Sequence, residues 1–211
     1  MLSAMRLSFT MLTICCSALP LASLSAQNAP PISAESDAAD LARYDKILKS
    51  QPKDSFTRYY RGTVLRRLKQ YDRALDDFNL LLRDDPSSTL FLHGRSEVWR
   101  AKGETDKAIE DLSKGLEIDP NSGLLLLERG FAWQHKGDLD RALADFSKAL
   151  QRNPDSASFV ARADVYRAQG KLDEAIIDYT RAIQIYPFHL AFAGRGRAWQ
   201  AKGRFKEAVD N

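Results

Sequence analysis

The sequence repeats itself with a period of 33 or 34 residues, and this period constrains the fold more than any other feature. An alanine column shows the spacing, at Ala74, Ala108, Ala142, Ala175 and Ala208. A proline column follows it, at Pro86, Pro120, Pro154 and Pro187. Two columns of large apolar residues contain Leu65, Trp99, Trp133, Tyr166 and Trp199, and then Phe78, Leu112, Phe146 and Tyr179. A fixed period of this length indicates one structural unit stacked on copies of itself.

Each repeat has the pattern of two amphipathic helices. The first helix is predicted to end near Gly103, Gly137, Gly170 or Gly203, because glycine readily takes the left-handed conformation that ends a helix. Asp138 and Asp173 follow such glycines and favour the start of the next helix. The second helix should end before the proline column, since proline has no N–H to donate. No segment alternates as a strand would, so the sequence predicts an all-α protein.

Several of these columns together resemble the tetratricopeptide repeat: the small residues Gly62, Gly130 and Gly196, the aromatic residue three positions later, the alanine column and the final proline. The resemblance covers residues 55–211 as four full repeats and a partial fifth. It implies an α-solenoid, a right-handed superhelix of antiparallel helix pairs. Residues 37–53 match only a second helix, which we expect to cap the array. A single helix pair buries too little apolar surface to fold alone, so neighbouring units should stabilise one another.

The N-terminal segment has the layout of a secretory leader. After Arg6, no charged residue occurs from Leu7 to Ala34, and the run is apolar before it becomes rich in small residues. This pattern predicts a signal peptide over residues 1–26 and a flexible linker over 27–36, with an uncleaved anchor as the open alternative. The expected location is secreted or periplasmic, without membrane insertion after cleavage. Both cysteines lie in the leader, so the mature chain would carry no thiol.

Composition and motifs argue against several function classes. The 31 basic and 28 acidic residues are interspersed along the chain, whereas a nucleic-acid binder concentrates its basic residues, so we expect no nucleic-acid partner. His93, His135 and His189 lie in three different repeats, which is not the spacing of a metal pair on a helix. The chain has no phosphate-binding glycine loop and no nucleophile motif. We therefore expect no metal, no cofactor and no enzymatic activity.

Each repeat carries an arginine where the family commonly has leucine, and in the four full repeats an aspartate follows sixteen residues later. The pairs are Arg61 and Asp77, Arg95 and Asp111, Arg129 and Asp145, and Arg162 and Asp178. We interpret them as a ladder of two-point contacts between the helices of each unit. The alternative, arginines that line a ligand site, stays open.

The resemblance also implies a binding surface, because the first helices of such arrays build a concave wall that binds extended segments or helices of other proteins. Carried over position by position, this candidate groove contains Phe56, Tyr59, Tyr60, Thr63, Arg66, Arg67, His93, Glu97, Arg100, Leu127, Phe131, Gln134, Asp164 and Arg167. Aromatic residues beside four arginines suit a ligand with apolar anchors and some acidic side chains, although a solvated arginine face is the other interpretation.

The expected function is therefore a protein-interaction scaffold or adaptor that binds a protein or peptide partner. Co-chaperones of this family clamp a terminal carboxylate with Lys and Asn residues, but the matching columns here hold Tyr59, Thr63, His93 and Glu97, so that activity is not expected. Two alternatives remain. The chain could form homo-oligomers through an incomplete C-terminal repeat, or it could be an accessory domain of a truncated larger protein.

Overall fold

The computed structural model describes residues 34–209, and this part of the chain forms eleven α-helices and no strand. The helices are α1 Ala34–Ser50, α2 Ser55–Arg67, α3 Tyr71–Asp84, α4 Thr89–Lys102, α5 Thr105–Ile118, α6 Gly123–Lys136, α7 Leu139–Arg152, α8 Ser156–Ala168, α9 Leu172–Ile185, α10 His189–Ala201 and α11 Phe205–Val209. The predicted signal peptide lies outside the described residues. The predicted linker overlaps the first turn of α1, which also ends earlier than the predicted capping helix.

Consecutive helices form antiparallel pairs, and each pair stacks on the next. The pairs are α2 with α3, α4 with α5, α6 with α7, α8 with α9, and α10 with α11, while α1 packs on α2. Each even-numbered helix from α2 to α10 is the first helix of its unit. First helices of adjacent units also contact each other, α2 with α4, α6 with α8 and α8 with α10. The fold is therefore the predicted all-α solenoid.

Local sequence sets the helix ends. Asp54, Ser88, Ser122 and Asp155 cap the first helices of the four full units, each accepting a hydrogen bond from the backbone N–H three residues on. The first helices of the second and third units end at glycines with a φ of 86°. In the first unit Lys69 takes that place with a φ of 59°, which costs a side-chain-bearing residue more than it costs glycine.

The core lies between helices and between units. Phe78 of α3 is 1% exposed and lies between Gly62 of its own unit and Gly94 of the next. A Cβ atom on those glycines would lie 2.9 Å and 2.3 Å from the Phe78 ring, closer than packing allows. One ring therefore joins three helices, which is the mutual support that the repeat period implied. Within residues 34–209 no helix has the length and apolarity that a membrane crossing requires.

Candidate functional site

Two sets of arginines organise this molecule, and the first holds each unit together. In all four full units, Nε and Nη2 of the arginine donate to the two carboxylate oxygens of the predicted aspartate. In the first unit these distances are 2.8 Å from Arg61 Nε to Asp77 Oδ2 and 2.6 Å from Nη2 to Oδ1. The other pairs have the same geometry: Arg95 with Asp111, Arg129 with Asp145, and Arg162 with Asp178. All four aspartates are buried, so this ladder stabilises the packing of paired helices.

The third guanidinium nitrogen of each ladder arginine reaches the preceding helix pair. Nη1 donates to a side-chain oxygen there: Arg61 to Asp45, Arg95 to Asn79, Arg129 to Ser113, Arg162 to Ser147, and Arg195 to Thr180. Hydrogen bonds to the buried carboxylates raise the pKa of Arg61, Arg95 and Arg162. Sequence reasoning missed the third contact because its acceptor changes from carboxylate to amide to hydroxyl along a regular spacing.

A second cross-unit column lies at the turns that join the two helices of a unit. The end of a first helix there contacts an aspartate in the first turn of the preceding second helix. The pairs are Lys102 with Asp72 at 2.5 Å, Lys136 with Asp106 at 2.5 Å, Gln169 with Asp140 at 2.9 Å, and Lys202 with Asp173. These contacts are exposed, so each contributes little alone. The regular spacing of the aspartates was a signal that could have revealed them.

The candidate groove begins at an aromatic cluster. Phe56 is 71% exposed, and its ring contacts the Tyr60 ring edge to face with a centroid distance of 4.5 Å. Tyr59 is half-buried between the Phe78 and Phe91 rings, at 5.8 Å and 6.2 Å. Burial and the nearby Glu97 carboxylate raise the pKa of Tyr59. The first unit thus offers apolar surface on a rigid support.

The four groove arginines do not form the free basic edge that the sequence predicted, because each one bonds to an acidic side chain. Arg66 lies 3.6 Å from Glu97, Arg67 donates to both oxygens of Asp37 at 2.5–3.0 Å, Arg100 lies 2.7 Å from Glu128, and Arg167 lies 3.2 Å from Asp164. An acidic ligand would have to displace these carboxylates. The interpretation as an acid-binding edge is therefore corrected to a row of ion pairs.

The fourth unit places a tyrosine hydroxyl beside the groove. Tyr179 occupies the column that holds phenylalanine in other units, and its hydroxyl donates to Asp164 Oδ1 at 2.6 Å. Arg167 Nε lies 3.4 Å from the same hydroxyl. Burial, followed by the hydrogen bond to Asp164, raises the pKa of Tyr179 to about 12. The fourth unit therefore presents an oriented carboxylate where the third presents Phe131.

The remaining groove candidates divide between packing and surface. Leu127 packs against the buried cluster around Phe146, so it belongs to the core more than to the groove. Phe131 is partly exposed and meets the Phe146 ring at 5.2 Å. Thr63 donates its hydroxyl to the Tyr59 carbonyl within α2. Gln134 is half-buried, and so is His93, whose Nε2 is buried without a hydrogen bond in the described residues.

Comparison with known proteins decides the family. The sequence profile described as tetratricopeptide repeat matches residues 37–89, 59–123 and 134–189, which together make up more than half of the chain. The chain belongs to the tetratricopeptide repeat family. Tetratricopeptide repeat arrays are in general protein-interaction scaffolds without enzymatic activity of their own, and this chain carries such an array. A search of curated protein sequences finds no match.

Solved structures of other tetratricopeptide proteins have the same fold. MamA is 26% identical, with a TM-score of 0.66 over 71% of this chain and 88% of that one. The thermophilic protein TTC0263 from Thermus thermophilus is 24% identical, with a TM-score of 0.61 over 83% and 91% of the two chains. YrrB, described as having an unusual peptide-binding site, is 21% identical, with a TM-score of 0.63 over 79% and 87%. Since the last two are below 25% identity, they bear on fold alone.

Proposed function

We propose that this protein is an adaptor that binds an extended segment or helix of a partner protein on the concave wall of its array. The exposed aromatic cluster of Phe56 and Tyr60 is the observation that carries the proposal. An aromatic side chain that is 71% exposed forgoes the burial that its apolar surface favours, and exposed aromatic residues are enriched where proteins bind one another. The peptide-binding site described for YrrB supports the same use of this fold.

The ion pairs along the groove define what the partner should offer. Because each groove arginine already bonds to a carboxylate, the wall presents alternating charges with little net charge. We propose that the partner inserts apolar side chains at the aromatic cluster and approaches the paired charges with its own backbone or uncharged polar groups. Binding should then depend more on aromatic contacts than on salt concentration.

Site-specific photocrosslinking tests this proposal in cells that naturally contain the protein. A photoreactive residue at position 60, in the groove, should capture a defined partner, whereas the same residue at position 177 serves as the matched control. Ile177 is 52% exposed and lies mid-helix on α9, a second helix, away from the first-helix wall. Phe56→Ser should abolish capture at position 60. Equal capture at both positions, or capture that survives Phe56→Ser, would exclude the groove.

We also propose that the protein is exported, on the motive of the charge-free N-terminal stretch. Fractionation of cells that express the full chain, with N-terminal sequencing of the recovered protein, tests this proposal. The expected result is extracytoplasmic protein that begins at Gln27, after cleavage behind Ala26. Full-length protein in the cytosolic fraction would contradict it, while full-length protein in the membrane fraction would support an uncleaved anchor.

End-to-end pairing is a second candidate function, because α11 exposes Phe205 at 65% and Val209 at 83%. Light scattering coupled to size-exclusion chromatography distinguishes the two candidates. A dimer that dissociates on Phe205→Asp would favour pairing, and a monomer at all concentrations would favour the adaptor.

A further inference from the structure

Exposed apolar side chains are concentrated at one edge of the array. In the described residues, seven of the twelve exposed large hydrophobic side chains lie where a second helix ends and the next first helix begins. We name this set the apolar rim; its members are Phe56, Leu90, Ile118, Leu124, Ile185, Tyr186 and Leu190. The opposite edge, where the two helices of a unit join, carries the Lys–Asp and Gln–Asp contacts instead, and Phe205 is its one member of the twelve.

The apolar rim has the period of the repeat itself. Phe56, Leu90, Leu124 and Leu190 are each the second residue of a first helix, and exposed Ala157 holds that place in the fourth unit. Leu90, Leu124 and Leu190 are between 52% and 54% exposed, so each offers a similar anchor to solvent. These positions lie just after the capping residues, and the caps are already satisfied by side chains in the first four units. Packing therefore does not explain why the position is repeatedly apolar.

The spacing of this row fits a helix better than it fits an irregular surface. Packed helices lie roughly 8–10 Å apart, so anchors on successive units should lie at about that separation or slightly more. A partner α-helix rises 1.5 Å per residue, so about seven residues, or two turns, advance it by roughly 10 Å. A partner helix that lies along the rim would thus meet one anchor with an apolar residue every two turns.

Charge around the rim indicates which helix. The turns before Leu90 and Leu124 cover residues 83–89 and 117–123, and they contain one basic residue, Arg83, against four acidic ones, Asp84, Asp85, Glu117 and Asp119. One minus four gives a local charge of −3, in a chain whose net charge is +3. Asp85 and Asp119 use Oδ1 to accept backbone N–H groups of their own turns. An acidic surface attracts basic groups and repels anionic lipid headgroups.

We propose that the apolar rim binds a basic amphipathic α-helix of a partner protein, with apolar residues about seven apart pressed on Leu90 and Leu124 and with Lys or Arg residues facing Asp84, Asp85 and Asp119. This surface lies at the edge of the array and is a second binding site beside the concave wall. It does not depend on the groove proposal, because Leu90 and Leu124 are not among the groove ion pairs or the Phe56–Tyr60 contact.

Synthetic helical peptides test the proposal on the full 211-residue chain. One peptide carries leucines seven residues apart on a lysine-rich helix, and the second replaces every lysine by glutamate. Fluorescence anisotropy should show that the basic peptide binds at least about tenfold more tightly than the acidic one, with an advantage that falls as salt rises. The double variant Leu90→Ser, Leu124→Ser should weaken the basic peptide by at least about tenfold, since each anchor is worth several-fold.

Three controls make the result specific. Ile177→Ser removes a side chain of matched 52% exposure outside the rim and should leave affinity unchanged. Phe56→Ser with Tyr60→Ser alters the groove cluster and should lower affinity less than the Leu90 and Leu124 double variant does. Asp84→Asn with Asp85→Asn should reduce the preference for the basic peptide without removing the apolar contribution. Circular dichroism verifies that each variant is folded.

Several outcomes would overturn the proposal. Equal affinity for the basic and acidic peptides would remove the charge argument, and insensitivity to the Leu90 and Leu124 changes would place the peptide elsewhere. Binding to vesicles of phosphatidylcholine and phosphatidylglycerol that is lost in the double variant would identify the rim as a lipid surface instead. A dimer that the double variant converts to monomer would assign the rim to self-association. None of these results would bear on photocrosslinking at position 60.

Discussion

The ladder arginines and the groove arginines make the same chemical contact in two different surroundings. Both sets pair a guanidinium with a carboxylate. The ladder carboxylates are buried, for example Asp77 and Asp111, whereas Glu97 and Glu128 of the groove keep part of their surface in water. Removing water strengthens the attraction but also raises the cost of an unpaired charge. One set is therefore bound into the fold, and the other can exchange partners at low cost.

This difference explains why the repeat retains the ladder in every full unit but varies the groove. A ladder arginine contacts three helices, so a change there disturbs two interfaces. A groove pair such as Arg100 and Glu128 joins only two exposed side chains of adjacent units. The groove columns accordingly hold Thr63, Glu97, Phe131 and Asp164 at equivalent places. The ladder maintains the architecture, and the groove is free to carry specificity.

The largest expected effect is at the ladder. Arg129→Met leaves the buried Asp145 carboxylate without its partner and should lower the free energy of unfolding by about 3 to 5 kcal/mol. Adding Asp145→Leu should restore most of that loss, because no buried charge then remains unpaired. Urea denaturation followed by circular dichroism measures both. Equal losses in the single and double variants would show that the pair is not the source of stability.

An intermediate effect is expected at Asp37, a buried groove carboxylate. Hydrogen bonds from Arg67 hold the pKa of Asp37 below its usual value, so its contribution to stability is present above the unfolded-state pKa near 4 and is lost as pH falls through the lower folded-state value. Asp37→Asn should cost about 1 to 2 kcal/mol at pH 7.

The Asp37→Asn comparison needs a pH series. The gap between the two unfolding free energies should narrow as pH falls below about 4. Asp40→Asn, an exposed change on the same helix, controls for general effects of charge. A gap that stays constant with pH would mean that Asp37 does not act through ionisation.

Tyr179→Phe should lower the free energy of unfolding by about 1 kcal/mol, because Asp164 loses a hydrogen-bond donor while the ring stays in place. Since the folded-state pKa of Tyr179 is raised to about 12, its stabilising contribution is complete below pH 10 and is lost as pH rises through about 12. Ultraviolet titration of folded protein should lose its last tyrosine step in the variant. A wild-type curve complete by about pH 11 would contradict the buried hydrogen bond.

The smallest effect is expected at Arg100. Arg100→Met should change the free energy of unfolding by less than about 0.5 kcal/mol, since its contact with Glu128 is exposed and water replaces it readily. The same urea titration provides the direct comparison with Arg129→Met. A loss as large as that of Arg129→Met would remove the distinction between the two arginine sets.

Sequence reasoning reached the fold and the ladder because both repeat within one unit. Helix ends at Gly103 and Gly137, the cap at Asp138 and the sixteen-residue spacing from Arg129 to Asp145 are local signals. It did not find the acids that pair with the groove arginines. Arg67 meets Asp37 from thirty residues before it, and Arg100 meets Glu128 from twenty-eight residues after it. Those contacts cross from one helix pair to the next.

The sequence by itself determined the repeat, the helix pairs and the partners inside each unit, because helical periodicity and turn chemistry act over one or two turns of chain. Only the tertiary structure decided which charges are neutralised and which apolar residues stay exposed. The rotation of one helix pair on the next selects those neighbours, and that rotation depends on how rings such as Phe78 fill the space above Gly62 and Gly94.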